Sequence, residues 1–319
     1  MTEELILGID TSNYTTSLSL LTSTGHLVAN LRRLLTVKEG ERGLRQSDAV
    51  FAHTKNLPAL MNELAAFLNG RSPSAVGVSI RPRNVEGSYM PCFLSGVSVA
   101  ESISCTLGIP IYRFSHQCGH IMAGLYSSGR VDFGDREIAA FHVSGGTTEL
   151  LRVKRAEVGF NAEMVGGTLD LNAGQVIDRI GVMLGLQFPA GGALEQLASE
   201  NKTKIPRKKP SVKGMNVSLS GLENMAQRLY KETNDKALTA AFVFDHIGEA
   251  LSLMSEGYIS AYGNSPILYA GGVMRNSIIR KKLSERFDAF FAEPDMSSDN
   301  AVGIAVLTAE AYKKSKQAD

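Results

Sequence analysis

Ser12–Leu18 reads SNYTTSL and Ser144–Leu150 reads SGGTTEL. The two share the pattern S-x-x-T-T-x-L, each matched residue displaced by the same interval. Each copy follows an apolar, β-prone run, LILGID ending at Asp10 or EIAAFHV ending at Val143, and leads into another, LSLL or LLRV. Such an order predicts a strand, a tight turn and a return strand. A turn of Ser, Gly and Thr leaves backbone N–H groups uncovered and adds hydroxyls, which suits an anionic group. Hairpins of this kind also serve as ordinary turns. Their ordered repetition favours two phosphate-sized turns facing one nucleotide cleft.

Outward from these turns, strand and helix patterns alternate. Strands are predicted at residues 5–10, 16–21, 26–31, 75–80 and 109–112, with helices near 47–68 and 93–107. A second series follows: strands at 138–143, 148–153, 158–165 and 267–270, and helices at 169–184, 222–231, 238–262, 277–286 and 299–313. Two tandem hairpin-plus-α/β units point to an α/β protein of two similar lobes, residues 1–110 with the helix 301–319, and residues 111–300. Gly271 and Gly272 close the strand at 267–270, and Asn276 opens the next helix. Ligands in α/β folds sit beyond the carboxyl ends of strands, and glycine there admits a flat ring, so this is a third candidate element of an adenosine pocket.

The 319 residues suffice for two domains with their own cores, and 44% hydrophobic residues fit a globular chain. No basic leader and no apolar run of about 20 residues is read, so no membrane role is expected and the location is expected to be cytoplasmic. Cys92, Cys105 and Cys118 form neither an even framework nor a C-x-x-C pair, as in a reducing compartment. A net charge of +1 gives no global case for nucleic acid. The one local candidate is NKTKIPRKKPSVKG, Asn201–Gly214, a loop broken by Pro206 and Pro210 whose cations either meet an RNA backbone or are simply solvated.

His116 and His120 lie in SHQCGHIMAGLYSSG, with Ser115 as N-cap and Gly129 as stop. On a helix their imidazoles stand about 40° apart on one face, whereas Cys118 is about 200° from His116 and turned away. Two histidines at this spacing are either structural or two ligands of one ion, and the Ser297–Asn300 turn, SSDN, offers a third, acidic ligand. No Glu follows the first histidine, so H-E-x-x-H is absent and a zinc-protease reading lacks its base.

The segment GGTLDLNAGQVIDRIGVMLGLQFPAGGALEQLA, Gly166–Ala198, resembles the G-E-T-x-D-D-A-A-G-E-A-F-D-K and L-G-L-x-Y-P-G-G motifs of the TsaD family of tRNA threonylcarbamoyltransferases, formerly described as sialoglycoprotein endopeptidases. The resemblance extends in order to VSGG (Val143–Gly146), the histidine pair, SLSGLENMA (Ser218–Ala226), LYAGGVMRN (Leu268–Asn276) and SSDNAVGIA (Ser297–Ala305). It implies two ribonuclease-H-like lobes of the actin, sugar kinase and chaperone ATPase superfamily around a nucleotide cleft. It also implies a divalent metal ion, iron or zinc before magnesium, on His116, His120 and Asp299. By the same resemblance His142, Val143, Ser144, Gly145 and Gly146 form the substrate turn, with Ser144 near the acyl phosphate. Asp178 and Gly191 lie at the ribose, and Gly271, Gly272 and Asn276 form the adenosine loop. The implied reaction is metal-dependent transfer from threonylcarbamoyl-adenylate to adenosine of tRNA, with AMP leaving and with an adenylate-synthesising enzyme and complex partners alongside.

The departures mark a diverged member or paralogue. Asn13-Tyr14-Thr15-Thr16 stands where the family has Cys-Asp-Glu-Thr, Thr147 replaces a histidine, and Arg81-Pro82-Arg83 replaces Gly-Pro-Gly. A guanidinium grips a carboxylate or phosphate in bidentate fashion, so these arginines either read a substrate or face solvent. Alternatives are therefore a carbamoyltransferase with another acceptor, or a non-catalytic partner of a TsaD-type complex, which a retained open metal site argues against.

Overall fold

Leu5–Ser12 (β1) is buried from end to end, and its alternation decides what covers it. Leu5, Leu7 and Ile9 join one core cluster, while Ile6 joins another with Ala75, Ala309 and Tyr312. The computed structural model describes residues 3–12, 14–36, 44–131, 136–157, 159–297 and 300–318. Two units emerge from their contacts: Met1–Phe133, Arg155–Asn161 and Asp295–Asp319 in the first, and Gly134–Lys154 with Ala162–Pro294 in the second.

In the first unit, β1, Thr15–Thr22 (β2), Leu27–Leu34 (β3), Ala75–Arg81 (β4) and Ile111–Ser115 (β5) form a sheet in the order β3-β2-β1-β4-β5. β2 runs antiparallel to its neighbours, whereas β4 runs parallel to β1 and β5. Gln46–Leu68 (α1) and Phe93–Leu107 (α2) supply Leu57, Leu60, Leu64 and Ala100 to the core with Leu5, Leu7 and Ile9. His116–Ser127 (α3) packs against the C-terminal helix Val302–Ala318. That C-terminal helix lies close on the sheet: a Cβ at Gly8 would meet the Ala301 carbonyl oxygen at 2.7 Å, and one at Gly77 the Thr308 hydroxyl at 1.7 Å.

The second unit repeats the plan. Ile138–Val143 (β6), Thr148–Arg155 (β7), Phe160–Thr168 (β8), Ile267–Ala270 (β11) and Ala289–Phe291 (β12) stand in the order β12-β11-β6-β7-β8. This is the order of the first sheet, with β6 in the place of β1 and β11 in the place of β4. The short strands Ser211–Lys213 (β9) and Asn216–Ser218 (β10) extend it beyond β8. Its helices are Ala173–Met183 (α4), Gly191–Ser199 (α5), Ser220–Thr233 (α6), Lys236–Tyr262 (α7) and Ser277–Ser284 (α8); the C-terminal helix is thus α9.

Both repeated segments form the hairpins that the sequence predicts, β1–β2 and β6–β7. The sequence boundary after residue 110 and the contact boundary after Phe133 differ by β5 and α3: β5 pairs with β4, and α3 packs on α9. α4 starts later than Leu169, because Asn172 and Gln175 close a reciprocal capping box there. The basic segment 201–214 is not loop throughout, since Ser211–Lys213 pairs with β10. α7 is, by length and composition, long and apolar enough to cross a membrane, and it is the one such helix among the described residues, with 78% of its apolar window buried in the protein. A helix buried over most of its length is what a core position requires.

Candidate functional site

The histidine pair sits where α3 begins. Ser115 is its N-cap, its hydroxyl accepting from the Cys118 amide at 3.2 Å, and Gly129 follows the helix at φ +71°. The rings of His116 and His120 are edge to face at 4.3 Å between centroids. Cys118 points elsewhere, its thiol 3.4 Å from the Phe160 carbonyl oxygen. The His116 Nδ1 lies 3.1 Å from the Asp10 Oδ1. A carboxylate on one ring nitrogen fixes the tautomer and leaves the other for an ion, so the pair fits two ligands of a metal site. Asp299, the third expected ligand, and Ser298 lie outside the described residues. Among the described residues no group of three His, Cys, Asp or Glu side chains gathers for a metal.

Asp10, fully buried, was not among the residues singled out from the sequence, although a charge closing a buried apolar strand is a visible signal. Its carboxylate also accepts from the Ser79 hydroxyl. Beside it, His53 of α1 is buried, with its Nδ1 2.8 Å from the Thr16 hydroxyl, which also accepts from Asn56. Burial pushes the His53 ring below the usual histidine range, against the pull of the Asp10 carboxylate. Thr15, which stands where the resembled motif has Glu, and Thr16, which matches its Thr, are both buried, and uncharged side chains suit that position. Arg81 ends β4, opposite Ser115 in the strand register, and is exposed. The Cys92 thiol is pushed up to about 11 by burial and the Asp10 carboxylate, so it is inert.

In the second unit the turn Ser144–Thr147 is closed on itself. The Ser144 amide donates to the Thr147 carbonyl at 2.7 Å, and the Ser144 hydroxyl accepts from the amides of Gly146 and Thr147 at 3.3 and 3.1 Å. The start of α4 docks on this turn: the Gly174 amide donates to the Ser144 carbonyl at 3.1 Å, and the Ala173 amide to the Thr148 hydroxyl at 3.0 Å. The amides expected to face an anion are thus largely engaged by the protein itself.

Beside the turn lies a cavity of about 600 Å³, within the usual range for small-molecule sites. Gly145, Asp178, Gly191, Gly272 and Asn276 all line it, five of the positions singled out from the sequence. Asp178 also holds the wall, its Oδ1 accepting from the Ala190 amide at 2.8 Å. Asn276 caps α8 by accepting from the Ile279 amide at 2.9 Å, while its buried Nδ2 has no hydrogen-bond partner among the protein's groups. Gly271, at φ +101°, passes so close to β6 that a Cβ would meet the Val143 carbonyl oxygen at 2.3 Å. His142 and Val143 belong to β6 and do not line the cavity. Glu195 and Arg275 do line it, and both escaped the sequence reading. Glu195 accepts from the Ser277 amide and hydroxyl at 2.7 and 2.6 Å.

The basic segment lines a different cavity of this unit, through Arg207, Lys208, Lys209 and Pro210, with Asp245, Glu249 and Lys282 opposite. Lys282 takes the carboxylates, at 2.8 Å from Asp245 and 3.2 Å from Glu249. The three loop cations make no ion pair among the described residues.

Residues 35–306 match the family model described as TsaD, tRNA N6-adenosine threonylcarbamoyltransferase. A protein of that name from Christiangramia forsetii is 28% identical, covering 98% of this chain and 95% of its own length. Another from Thermosipho africanus is 29% identical, over 99% and 96%. Among solved structures, full-length HypF in a phosphate- and nucleotide-bound form superposes with a TM-score of 0.60 at 12% identity, over 97% of this chain and 56% of that one. A ROK family glucokinase from Streptomyces griseus, in complex with glucose and AMPPNP, superposes with a TM-score of 0.52 at 13% identity, over 96% and 99%. At such identities these likenesses establish the two-lobed ribonuclease-H-like fold alone.

Proposed function

The chain belongs to the TsaD family of tRNA N6-adenosine threonylcarbamoyltransferases, a family of transferases, and from that premise we propose that it moves a threonylcarbamoyl group from threonylcarbamoyl-adenylate to adenosine of tRNA. The observation that carries this reading is the second-unit cavity, which gathers Gly145, Asp178, Gly191, Gly272 and Asn276 on one wall system with an unsatisfied amide donor. His116, His120 and Asp299 would hold the divalent ion, iron or zinc before magnesium. When bound, the ion supplies Lewis-acid polarisation of the carbamoyl carbonyl. Asp10 sets the tautomer and direction of His116. Ser144 shapes the turn by taking two of its amides. The adenosine N6 attacks the carbamoyl carbon, the bond to the phosphate oxygen breaks, and AMP departs with that electron pair while the N6 proton passes to solvent. A tRNA acceptor places the reaction in the cytoplasm, with a separate adenylate-forming enzyme and TsaD-type complex partners.

The test is incubation of metal-loaded protein with threonylcarbamoyl-adenylate, with and without unmodified tRNA, reading AMP release and digested nucleosides by mass spectrometry. Threonylcarbamoyladenosine in the tRNA sample is expected. AMP without modified nucleoside would move the acceptor elsewhere, a reading that exposed Tyr14 and Arg81 favour. In the same preparation about one divalent ion per chain is expected, and its loss in His120→Ala; a metal-free wild type would sink the ligand assignment.

The basic segment is assigned to the tRNA backbone. Burial lowers the proton affinity of His246 in α7, against a smaller opposing pull from the Lys208 backbone of the segment. Replacing Lys208 and Lys209 with serine is expected to weaken tRNA binding and to reduce the slope of log affinity against log salt by about 2, roughly one per lost phosphate contact. Superimposable salt titrations would remove the segment from the interface.

A further inference from the structure

The cavity of the second unit takes an adenylate under the reading above, and an adenylate brings a phosphate. Several of the backbone donors around it are occupied. The amides of Ser144, Gly146 and Thr147 are engaged within their own turn. Ala173 and Gly174, at the start of α4, donate to Thr148 and Ser144. At the start of α8 the Ser277 amide goes to Glu195 and the Ile279 amide to Asn276. The walls also carry two carboxylates, Asp178 and Glu195, against a single cation, Arg275. Two carboxylates repel a phosphodiester-like anion unless a cation offsets them.

Arg275 is placed to do so. It ends the short 3-10 helix Gly272–Arg275 that leads from β11 into α8, next to Asn276, which lines the same cavity. It is exposed, lines the cavity, and among the described residues makes no ion pair or hydrogen bond. A planar guanidinium with no protein partner matches two phosphate oxygens at once. We propose that Arg275 is the anion anchor of this cavity, gripping the phosphate of the adenylate while Asn276 and the glycine-lined walls take the nucleoside.

The assignment rests on the adenylate reading and is tested separately from it, by calorimetric titration of the full chain with AMP and with adenosine at fixed salt. Wild type is expected to bind AMP more tightly than adenosine, the gap narrowing as salt rises. Arg275→Ala is expected to lose about tenfold in AMP affinity, or ~1.4 kcal/mol, with adenosine affinity unchanged. Arg275→Lys, which keeps the charge and loses the fork, is expected to recover part of the AMP affinity, a rescue that a general loosening of the cavity would not give. Equal losses for AMP and adenosine in Arg275→Ala would overturn the assignment in favour of packing on the nucleoside. Unchanged AMP binding would overturn it outright. A wild type that binds neither ligand would overturn the adenylate reading, and the anchor with it.

Discussion

Gly174→Ala is expected to cost about 100-fold in turnover and to weaken nucleotide binding, although the change adds one methyl group. A Cβ at this position would lie 2.6 Å from the Gly145 nitrogen and 2.7 Å from the Gly145 Cα and the Ser144 carbonyl carbon. All of these are backbone atoms, so no side chain can swing aside. The turn must move off α4, breaking the bond from the Gly174 amide to the Ser144 carbonyl and shifting Gly145 at the cavity wall. Overpacking of this kind costs about 1–3 kcal/mol of stability, and a displacement near 1 Å at a reacting group costs about 100-fold in rate. Gly221→Ala in α6, where an added Cβ meets nothing within 4 Å, is the control and should be neutral or slightly stabilising. AMP titrations and turnover for Gly174→Ala that overlay those of wild type would show that the turn is not held as described.

Gly303→Ala is expected to have the larger effect on stability. Its Cβ would fall 1.8 Å from the Gly119 carbonyl oxygen and 2.7 Å from the Ala123 amide, both in the backbone of α3. α3 and α9 can pack this closely only because both lack a side chain at the crossing. Separation of the two helices is expected to cost about 3 kcal/mol or more and to lower the thermal midpoint of the first unit by roughly 6–12 °C, at 2–4 °C per kcal/mol. On the metal assignment proposed above, metal content should fall in parallel, because α3 carries His116 and His120. Calorimetry reads the first consequence, and a melting profile indistinguishable from wild type would contradict the close crossing.

The strands and the duplicated hairpins were legible in the sequence because β1 and β6 lie inside their sheets, and burial on both faces leaves a nearly continuous apolar run. Ser115 was legible as an N-cap because capping is local chemistry. β10 and β12 were not, since strands of three residues exist through pairing partners distant in sequence, and β9 exists only as the hairpin partner of β10. The same holds at the sites. Asp10 meets His116 only once the parallel register of β1, β4 and β5 is set. Glu195 and Arg275 line one cavity only after α5 and the segment following β11 have folded together. Ser144 shows the converse: the sequence offered its hydroxyl and neighbouring amides to a ligand, and the fold spends most of them on the turn.

The packing of α9 on β1 and β4 through Gly8 and Gly77 also has a bearing on biosynthesis. β1 and β4 receive the cover for one face from a helix that is made only after the whole second unit. A nascent chain that has reached Pro294 holds every residue of the second unit, while Ile6 and Ala75 still lack Ala309 and Tyr312. For that interval the first sheet presents a bare apolar face, the kind of surface that chaperones bind and that aggregates when they do not.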